Sequence, residues 1–362
     1  MRTALAERLL VKIMGWTTDE VSKERPLLQS LANFKYDEYQ QFSPGIRFIE
    51  SLVLWLKQFE TIEEKKIAYE FFLSQLVFIS NAEVYHLLSI SFPDIINPLL
   101  IQKASKKASL NPNHIKKIIN HDEYKKVNRQ SLYIGLSDGS KIDQFRRACQ
   151  ISNEQVTPTY QINKEKSDDM LKELQTSMGN SAKFNSIFLI DDFTASGISY
   201  FRPDEAKGKV FKFLTALFEG KEAKDNNLQS LVDIADIEIH ILFYVATEAA
   251  ISSLIEKINS WKTSKNITVE ISVQAVQILP NSIKEESINN AKFVELIKKY
   301  FDNSIIDKHY KKGKHDEPHL GFNECALPLV LSHNTPNNSL PILWLQEDKS
   351  SRGLFPRVTR HK

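Results

Sequence analysis

Hydrophobic positions form short uninterrupted runs in the second half of the chain. The runs occupy residues 132–136 (LYIGL), 186–190 (SIFLI), 237–245 (IEIHILFYV) and, with more alternation, 267–276. Short apolar runs of this kind are typical of buried parallel strands. Helical periods over residues 209–218 and 247–261 separate the later runs. Strands that alternate with helices predict a doubly wound, mostly parallel α/β sheet, in which the last run is an edge strand.

The first third of the chain follows a helical period almost throughout. Ser43 before Pro44 predicts a helix start, with an N-cap followed by proline at the first helical position. Thr61 and Glu64 have the spacing of a capping box. The apolar face of the helix that they begin continues to Ile79.

A third helix, expected to begin at Asn81 and to end before Pro93, leads toward a lysine-rich stretch over residues 103–129. We interpret that stretch as the connection between two domains. The chain is therefore predicted to have a helical N-terminal domain over residues 1–128 and an α/β domain over 129–362. The aromatic residues of the first domain predict a helical core, and an exposed part of them would suit docking of a partner protein.

Composition excludes several classes of protein. The chain has 362 residues and a charged fraction of 25%, which is typical of soluble globular proteins. Its net charge of +2 does not indicate a nucleic-acid-binding protein, so we expect contact with nucleic acid only indirectly, if at all. Cys149 and Cys325 are too few for a disulfide framework, which favours a reducing compartment. The N-terminus has the charge pattern of an amphipathic helix, and no apolar run approaches the ~20 residues that span a bilayer. We expect a cytoplasmic protein without a membrane partner.

The residues after the run at 186–190 have the chemistry of a candidate site. The run ends at Asp191 and Asp192, and a loop of small and hydroxyl-bearing residues follows. Its members are Thr194, Ala195, Ser196, Gly197, Ile198 and Ser199. Such a loop can wrap a phosphate with its backbone N–H groups. Two carboxylates repel a phosphate. Their presence beside such a loop makes sense if the ligand also carries hydroxyls or a Mg²⁺ ion near its phosphate. The alternative is a buried strand that ends in a solvated Asx turn.

This stretch resembles the signature of the phosphoribosyltransferases, which has four apolar residues, two acids and a loop with Thr or Ser around glycine. The resemblance implies that Asp191 and Asp192 are catalytic and hold the ribose hydroxyls of phosphoribosyl pyrophosphate. It also implies that the loop over residues 194–199 binds the 5′-phosphate and that Mg²⁺ is the cofactor. Ile198 stands where many members have a second glycine, so this loop is bulkier.

A second small-residue loop follows the run at 132–136. It consists of Ser137, Asp138, Gly139, Ser140 and Lys141. In the phosphoribosyltransferases a loop at the matching place in the chain order holds the pyrophosphate, so the resemblance assigns these residues to substrate binding. Lys141 with the nearby Arg146 and Arg147 suits a pyrophosphate electrostatically, although Asp-Gly is also an ordinary hairpin signal.

Two further polar segments have less specific signals. The three histidines between residues 309 and 319 fit no zinc spacing, which favours a solvated loop without a metal. The asparagine-rich loop over residues 333–341 (HNTPNNSLP) suits hydrogen bonding to a base or ribose. A double Asx turn explains the same residues equally well.

The wider pattern PGIRFIESLVLWL, GLSDGS, IDDFTASG and HNTPNNSLPILW resembles the phosphoribosyltransferase-like proteins associated with bacterial conflict systems. This implies a phosphoribosyltransferase-type enzyme that uses phosphoribosyl pyrophosphate or a related nucleotide and acts as an effector in antiphage defence. It also implies a protein partner, bound through the helical N-terminal domain. Two alternatives stay open, which are a subunit that senses a nucleotide without turnover and a scaffold.

Overall fold

The structure is a computed structural model that describes residues 3–220, 226–347 and 350–358. Its strands are β1 (Val77–Ile79), β2 (Ser131–Gly135), β3 (Val156–Thr157), β4 (Ser186–Thr194), β5 (Glu238–Thr247), β6 (Glu270–Leu279) and β7 (Leu329–Leu331). Its helices are α1 (Thr3–Met14), α2 (Thr18–Phe34), α3 (Phe48–Lys57), α4 (Ile62–Ser74), α5 (Asn81–Ser91), α6 (Asn97–Ala108), α7 (Ile115–Ile119), α8 (Asp122–Arg129), α9 (Ile142–Ala148), α10 (Lys164–Met178), α11 (Lys209–Glu219), α12 (Leu228–Leu231), α13 (Glu248–Ser264), α14 (Ser282–Asn289), α15 (Ala291–Lys299) and α16 (Pro341–Trp344).

A five-stranded sheet with the order β3-β2-β4-β5-β6 organises the central part of the chain, and every pairing in it is parallel. Helices between successive strands provide the crossovers that parallel pairing requires. The predicted α/β fold is therefore confirmed, and β6 lies at an edge as expected. The strand β4, which carries the acid pair, lies in the middle of the sheet.

The two faces of β4 have different surroundings. Ile187 and Leu189 belong to a hydrophobic cluster with buried residues of α10, α11, α12 and α13. On the other face, the ring of Phe188 stacks between Tyr133, at 5.1 Å, and His240, at 4.9 Å. Because consecutive strand residues point to opposite faces, neighbouring side chains of β4 have different contacts.

Contacts along the chain define two compact units, Met1–Val84 with Asn281–Lys362 and Tyr85–Pro280. This grouping differs from the predicted division at residue 128. Residues 85–128 lie with the sheet, because buried Lys103 of α6 donates a 2.6 Å hydrogen bond to the Asn185 carbonyl before β4. We call the first unit the terminal unit and the second the sheet unit.

The terminal unit joins the two ends of the chain. β1 pairs with β7 in parallel, and Phe71 of α4 stacks on Phe293 of α15 with 4.0 Å between ring centroids. The helix that was expected to continue to Ile79 ends at Ser74, so that prediction is wrong. Residues 77–79 are β-branched or aromatic and suit a strand once a partner strand is present.

Helix starts in this unit were predicted with mixed success. The capping box of Thr61 and Glu64 is confirmed, with both reciprocal hydrogen bonds present. The helix start at Ser43 is wrong, because α3 begins at Phe48 and Arg47 lies at its N-cap position. There the side chain of Asp37, which lies earlier in the chain, accepts the Phe48 N–H at 2.8 Å and replaces a local cap.

The asparagine-rich loop also lies in the terminal unit. Thr335 donates to the hydroxyl of Tyr39 at 3.0 Å, and Asn338 donates to the Phe322 carbonyl at 3.1 Å. Ser339 is fully buried and donates to a β7 carbonyl at 2.6 Å. These hydrogen bonds join neighbouring segments of the unit, which favours the structural explanation of the loop.

Residues Asn81–Ala108 form one continuous helical run. The predicted helix ends at Ser91, before Pro93, but a π-helical turn over Phe92–Ile96 continues it into α6. By length and composition, this run is the one helix among the described residues that could cross a membrane. Core helices of soluble proteins pass the same test, and 33% of its most apolar stretch is buried.

Candidate functional site

The two loops singled out in the sequence meet where β2 and β4 end. These strands run side by side, with Gly135 opposite Ile190, and the Leu136 N–H donates to the Ile190 carbonyl at 2.9 Å. The first loop, residues 137–141, therefore leaves the sheet directly beside the acid pair. Ligands of open α/β sheets bind at this carboxyl edge.

The acid pair itself lies inside the strand. β4 continues through Asp191 and Asp192 to Thr194, with Asp191 opposite Phe243 in the ladder with β5. Asp191 therefore points to the same face as Leu189, toward the layer that contains α11. Asp192 points to the other face, so the two adjacent carboxylates have different surroundings.

Asp191 is fully buried and accepts hydrogen bonds from four donors. Its Oδ2 accepts from the Tyr200 hydroxyl at 2.9 Å and from the Lys209 Nζ at 2.6 Å. Its Oδ1 accepts from the Ser137 hydroxyl and from the Asp192 N–H, the latter at 3.1 Å. A carboxylate has about four acceptor positions, so these partners use its capacity.

Burial sets the protonation of this cluster. Burial and the nearby charge of Asp192 raise the pKa of the Asp191 carboxyl, while Lys209 and the Ser137 hydrogen bond oppose the change. Burial and the charges of Asp191 and Asp192 hold the pKa of the Tyr200 hydroxyl well above its ordinary value. Tyr200 therefore stays neutral and keeps its proton for hydrogen bonding.

Asp192 is half-buried and lies against the backbone of the first loop. A Cβ atom at Gly139 would come within 2.6 Å of the Asp192 Cγ, so any larger residue there would require the Asp192 carboxylate to move. The Asp192 Oδ1 also accepts the Phe193 N–H at 2.8 Å. The structure thus brings together Asp192 and the loop predicted to bind pyrophosphate.

A tyrosine of β5 is hydrogen-bonded to the backbone of the first loop. The Tyr244 hydroxyl donates to the carbonyl of buried Ser140 at 2.6 Å, and the Ser140 N–H donates to the Ser137 carbonyl at 3.0 Å. Asp138 is exposed and Lys141 is half-buried, with Lys141 in the left-handed conformation at φ 46°. The loop is therefore fixed in shape while its charged side chains reach the surface.

The two arginines after the first loop have a nearby acidic partner. Arg146 lies 3.7 Å and Arg147 2.5 Å from carboxylate oxygens of Asp143, one turn earlier on α9. The sequence alone suggested a pyrophosphate contact for them. In the structure, part of their charge is balanced by Asp143.

The second loop, residues 194–199, turns tightly around glycine. The Gly197 N–H donates to the Thr194 hydroxyl at 3.2 Å, and Gly197 has φ +70°. Thr247, which caps α13, donates its hydroxyl to the Ala195 carbonyl at 2.7 Å. Within the described residues, the backbone N–H groups of Ser196 and Ser199 donate no hydrogen bond.

Exposure varies along the second loop. Thr194, Ala195 and Gly197 are buried, Ser196 and Ile198 are half-buried, and Ser199 is exposed. The accessible residues of the loop therefore include two serines whose backbone N–H groups donate no hydrogen bond within the described residues. These are the donors that an anion needs.

The described residues do not form a metal cage. No group of three or more His, Cys, Asp or Glu side chains in this part of the chain is close enough to hold an ion. Four protein donors engage Asp191, so Asp192 is the carboxylate of the pair that could contact Mg²⁺, which usually binds through one or two carboxylates together with substrate phosphates and water. These residues could hold Mg²⁺ only together with a phosphate ligand, so the magnesium cofactor stays a prediction.

Sequence reasoning missed three residues of this cluster. Lys209 was assigned only to the start of a helix, and Tyr244 and Thr247 only to a strand and the helix after it. No local pattern distinguishes them, because each reaches the site through strand order and helix packing. Only Tyr200 carried a signal, since it lies just after the glycine loop.

Comparison with known proteins agrees with this architecture. No curated protein and no solved structure matches the chain. The family model PRTase-CE matches residues 52–357, which include both loops and the acid pair. This match covers most of the chain. The protein therefore belongs to the PRTase-CE family, a phosphoribosyltransferase-like family.

Proposed function

We propose that this protein binds phosphoribosyl pyrophosphate, or a related ribosyl phosphate, as its magnesium complex and transfers the ribosyl group. The observation that carries the proposal is the contact of Gly139 with Asp192. It sets a carboxylate directly between two loops of small residues, so that one ligand could touch all three. Membership of a phosphoribosyltransferase-like family supports the same class of ligand.

Each part of the ligand has a partner of suitable chemistry. The second loop offers N–H groups of Ser196 and Ser199 to a 5′-phosphate. The first loop offers Lys141 to the pyrophosphate. Between them, the acid pair offers a carboxylate to the ribose hydroxyls, to which it would be a strong acceptor.

In the proposed reaction, an acceptor attacks the anomeric carbon and the bond to pyrophosphate breaks. Positive charge then builds on the ribose ring, and a carboxylate held beside the ring stabilises it. Phosphate contacts far from the reacting carbon fix its orientation. Mg²⁺ would come bound to the phosphates of the substrate, where it would supply positive charge to neutralise the departing pyrophosphate.

The biological role that we propose is that of an effector in bacterial antiphage defence. The sequence resemblance to proteins of bacterial conflict systems supports this role. Such an effector would act in the cytoplasm beside a protein partner, bound through the N-terminal helices. The aromatic residues of those helices are mostly buried in the terminal unit, so a partner would contact exposed residues such as Phe34.

A second candidate function is nucleotide sensing without turnover. The engagement of Asp191 by four protein donors favours it, because this carboxylate then has no acceptor position left for a ribose hydroxyl. Saturable binding without release of pyrophosphate would identify a sensor. Absence of binding and of turnover would leave a scaffold.

Calorimetric titration with phosphoribosyl pyrophosphate and Mg²⁺ tests the proposal. We expect saturable binding by the wild type and a loss of at least about tenfold in affinity for Asp191→Asn/Asp192→Asn, because charge-assisted hydrogen bonds disappear. The matched control is Asp168→Asn/Asp169→Asn, which removes an adjacent exposed acid pair from α10.

The control is expected to bind as the wild type does. Failure of the folded wild type to bind would contradict the proposal. An equal loss in both double variants would show that overall charge, and not the site, governs binding.

A further inference from the structure

A lysine side chain of the protein forms an ion pair with the buried carboxylate of Asp191. Lys209, the first residue of α11, places its Nζ 2.6 Å from the Asp191 Oδ2 and 5.0 Å from the centre of the Tyr200 ring. The Asp191 side chain is 0% exposed and that of Lys209 is 35% exposed. Neither the sequence motif nor the family match assigns a role to this lysine.

We propose that Lys209 is a built-in counter-ion that locks Asp191 as a positioning residue, so that Asp192 is the one carboxylate of the pair presented to the ligand. This inference rests on the proposed function, because the ligand is the ribosyl phosphate named there. It specifies which acid contacts that ligand and which acid holds the site together.

The hydrogen bonds of Asp191 support the locking role. They reach Ser137 in the first loop, Tyr200 just after the second loop and Lys209 on α11. One carboxylate therefore ties together the three segments that shape the site. With its acceptor positions used, Asp191 has none to offer a ribose hydroxyl unless one of these bonds breaks.

Strand geometry supports the different role of Asp192. Its side chain leaves β4 on the opposite face, against Gly139, and it is half-buried where Asp191 is fully buried. Both carboxylates adjoin the loop that would receive pyrophosphate, but Asp192 is the less buried of the two. A fixed backbone at Asp191 would in turn fix the direction of the Asp192 side chain.

The positive charge of Lys209 would also reduce repulsion between the acid pair and the ligand. Two ionised carboxylates beside a phosphate site would repel a polyanionic ligand, and Lys209 halves their net charge. The ionisable groups that interact electrostatically with Asp191 are Asp192, Lys209, Tyr200 and Tyr244. Lys209 is the one cation in that set.

Variants of Lys209 test the inference by melting temperature and by affinity for phosphoribosyl pyrophosphate with Mg²⁺. Lys209→Met keeps an unbranched side chain of similar length but removes the charge that pairs with Asp191. We expect it to lower the melting temperature by about 5 °C or more, because one partner of a buried ion pair is lost. We expect affinity to fall at least about tenfold, since the site loses its fixed shape.

Two companion variants separate a counter-ion from other roles. Lys209→Arg keeps the charge and should retain most of the stability and affinity. Adding Asp191→Asn to Lys209→Met removes the unpaired charge and should restore most of both quantities. A lysine that only fills space would show no such rescue.

Three results would overturn the inference. Wild-type stability of Lys209→Met would show that Asp191 needs no counter-ion. Rescue of stability without rescue of affinity would show that Lys209 contacts the ligand directly. If the wild type binds no phosphoribosyl pyrophosphate, the proposed function and the role of Asp192 fail together, while the melting temperatures still decide whether Lys209 is the counter-ion.

Discussion

Two adjacent aspartates of β4 differ in burial, partners and orientation because strand side chains alternate between the two faces of the sheet. The sequence was sufficient to locate the acid pair and both loops, since these residue types follow one another directly in the chain. It could not distinguish Asp191 from Asp192. That difference comes from Lys209 and Gly139, which approach through the tertiary fold.

The glycine of the second loop provides a prediction at this scale. Gly197→Ala is expected to destabilise the protein by about 1–2 kcal/mol from its left-handed backbone and by about 1 kcal/mol more from contact with Leu254. The added Cβ would lie 3.0 Å from the Leu254 Cγ. Gly45→Ala is the matched control, because Gly45 has φ +83° and nothing within 4 Å of its Cβ position.

The measurement is the free energy of unfolding in urea for both variants. The difference between them isolates the contact with Leu254 on α13. Equal losses would mean that Leu254 moves aside without cost and that the second loop is not fixed by this helix.

At the scale of elements, the strands of the central sheet were predictable because buried parallel strands have continuous apolar runs. The short strands β1 and β3 were not, since two or three residues carry no period. The cap of α4 was predictable from Thr61 and Glu64 alone. The sequence did not predict that Glu64 also contacts α15, because α15 lies more than 200 residues later in the chain.

Glu64 thus connects two helices and should give stability a pH dependence. Although burial opposes it, hydrogen bonds from Lys299, the Thr61 N–H and Tyr300 lower the pKa of the Glu64 carboxyl to about 2. A carboxyl whose folded pKa lies below its unfolded value stabilises the fold above the unfolded value, which is 4.5 here. This contribution is lost as the pH falls from 4.5 toward 2.

We therefore expect Glu64→Gln to lower stability at pH 7 and to make the loss between about pH 5 and pH 2 less steep than in the wild type. Unfolding in urea at several pH values measures this. Glu63→Gln is the control, since Glu63 is largely exposed and its pair with Lys292 spans 3.2 Å. Parallel pH curves for Glu64→Gln and the wild type would refute the assignment.

At the scale of the whole molecule, the chain order and the spatial order differ. The terminal unit contains both the first and the last part of the chain, and the sheet unit is inserted between them. A local pattern reports the type of each element but not its partner, so the sequence placed the division near residue 128. No pattern in the sequence indicated that β1 pairs with β7.

Fragments test this organisation. Residues 1–128 alone should not fold stably, because they lack β7, Phe293 and the Phe355 ring, which lies 5.4 Å from that of Phe78. Residues 85–280 contain the complete five-stranded sheet and should fold. The spread of amide signals in two-dimensional NMR spectra measures both outcomes. A well-dispersed spectrum for 1–128 would refute the inserted arrangement.

The insertion of one unit into another also has a consequence for synthesis. Trp55 lies in the core of the terminal unit and donates to the Ile342 carbonyl, yet the ribosome makes the segment around Ile342 only after the whole sheet unit. At 5–20 residues per second, the 287 residues from Trp55 to Ile342 take roughly 15–60 s to synthesise. During that interval the aromatic side chains of α3 and α4 lack the segments that cover them, and chaperones have time to bind them.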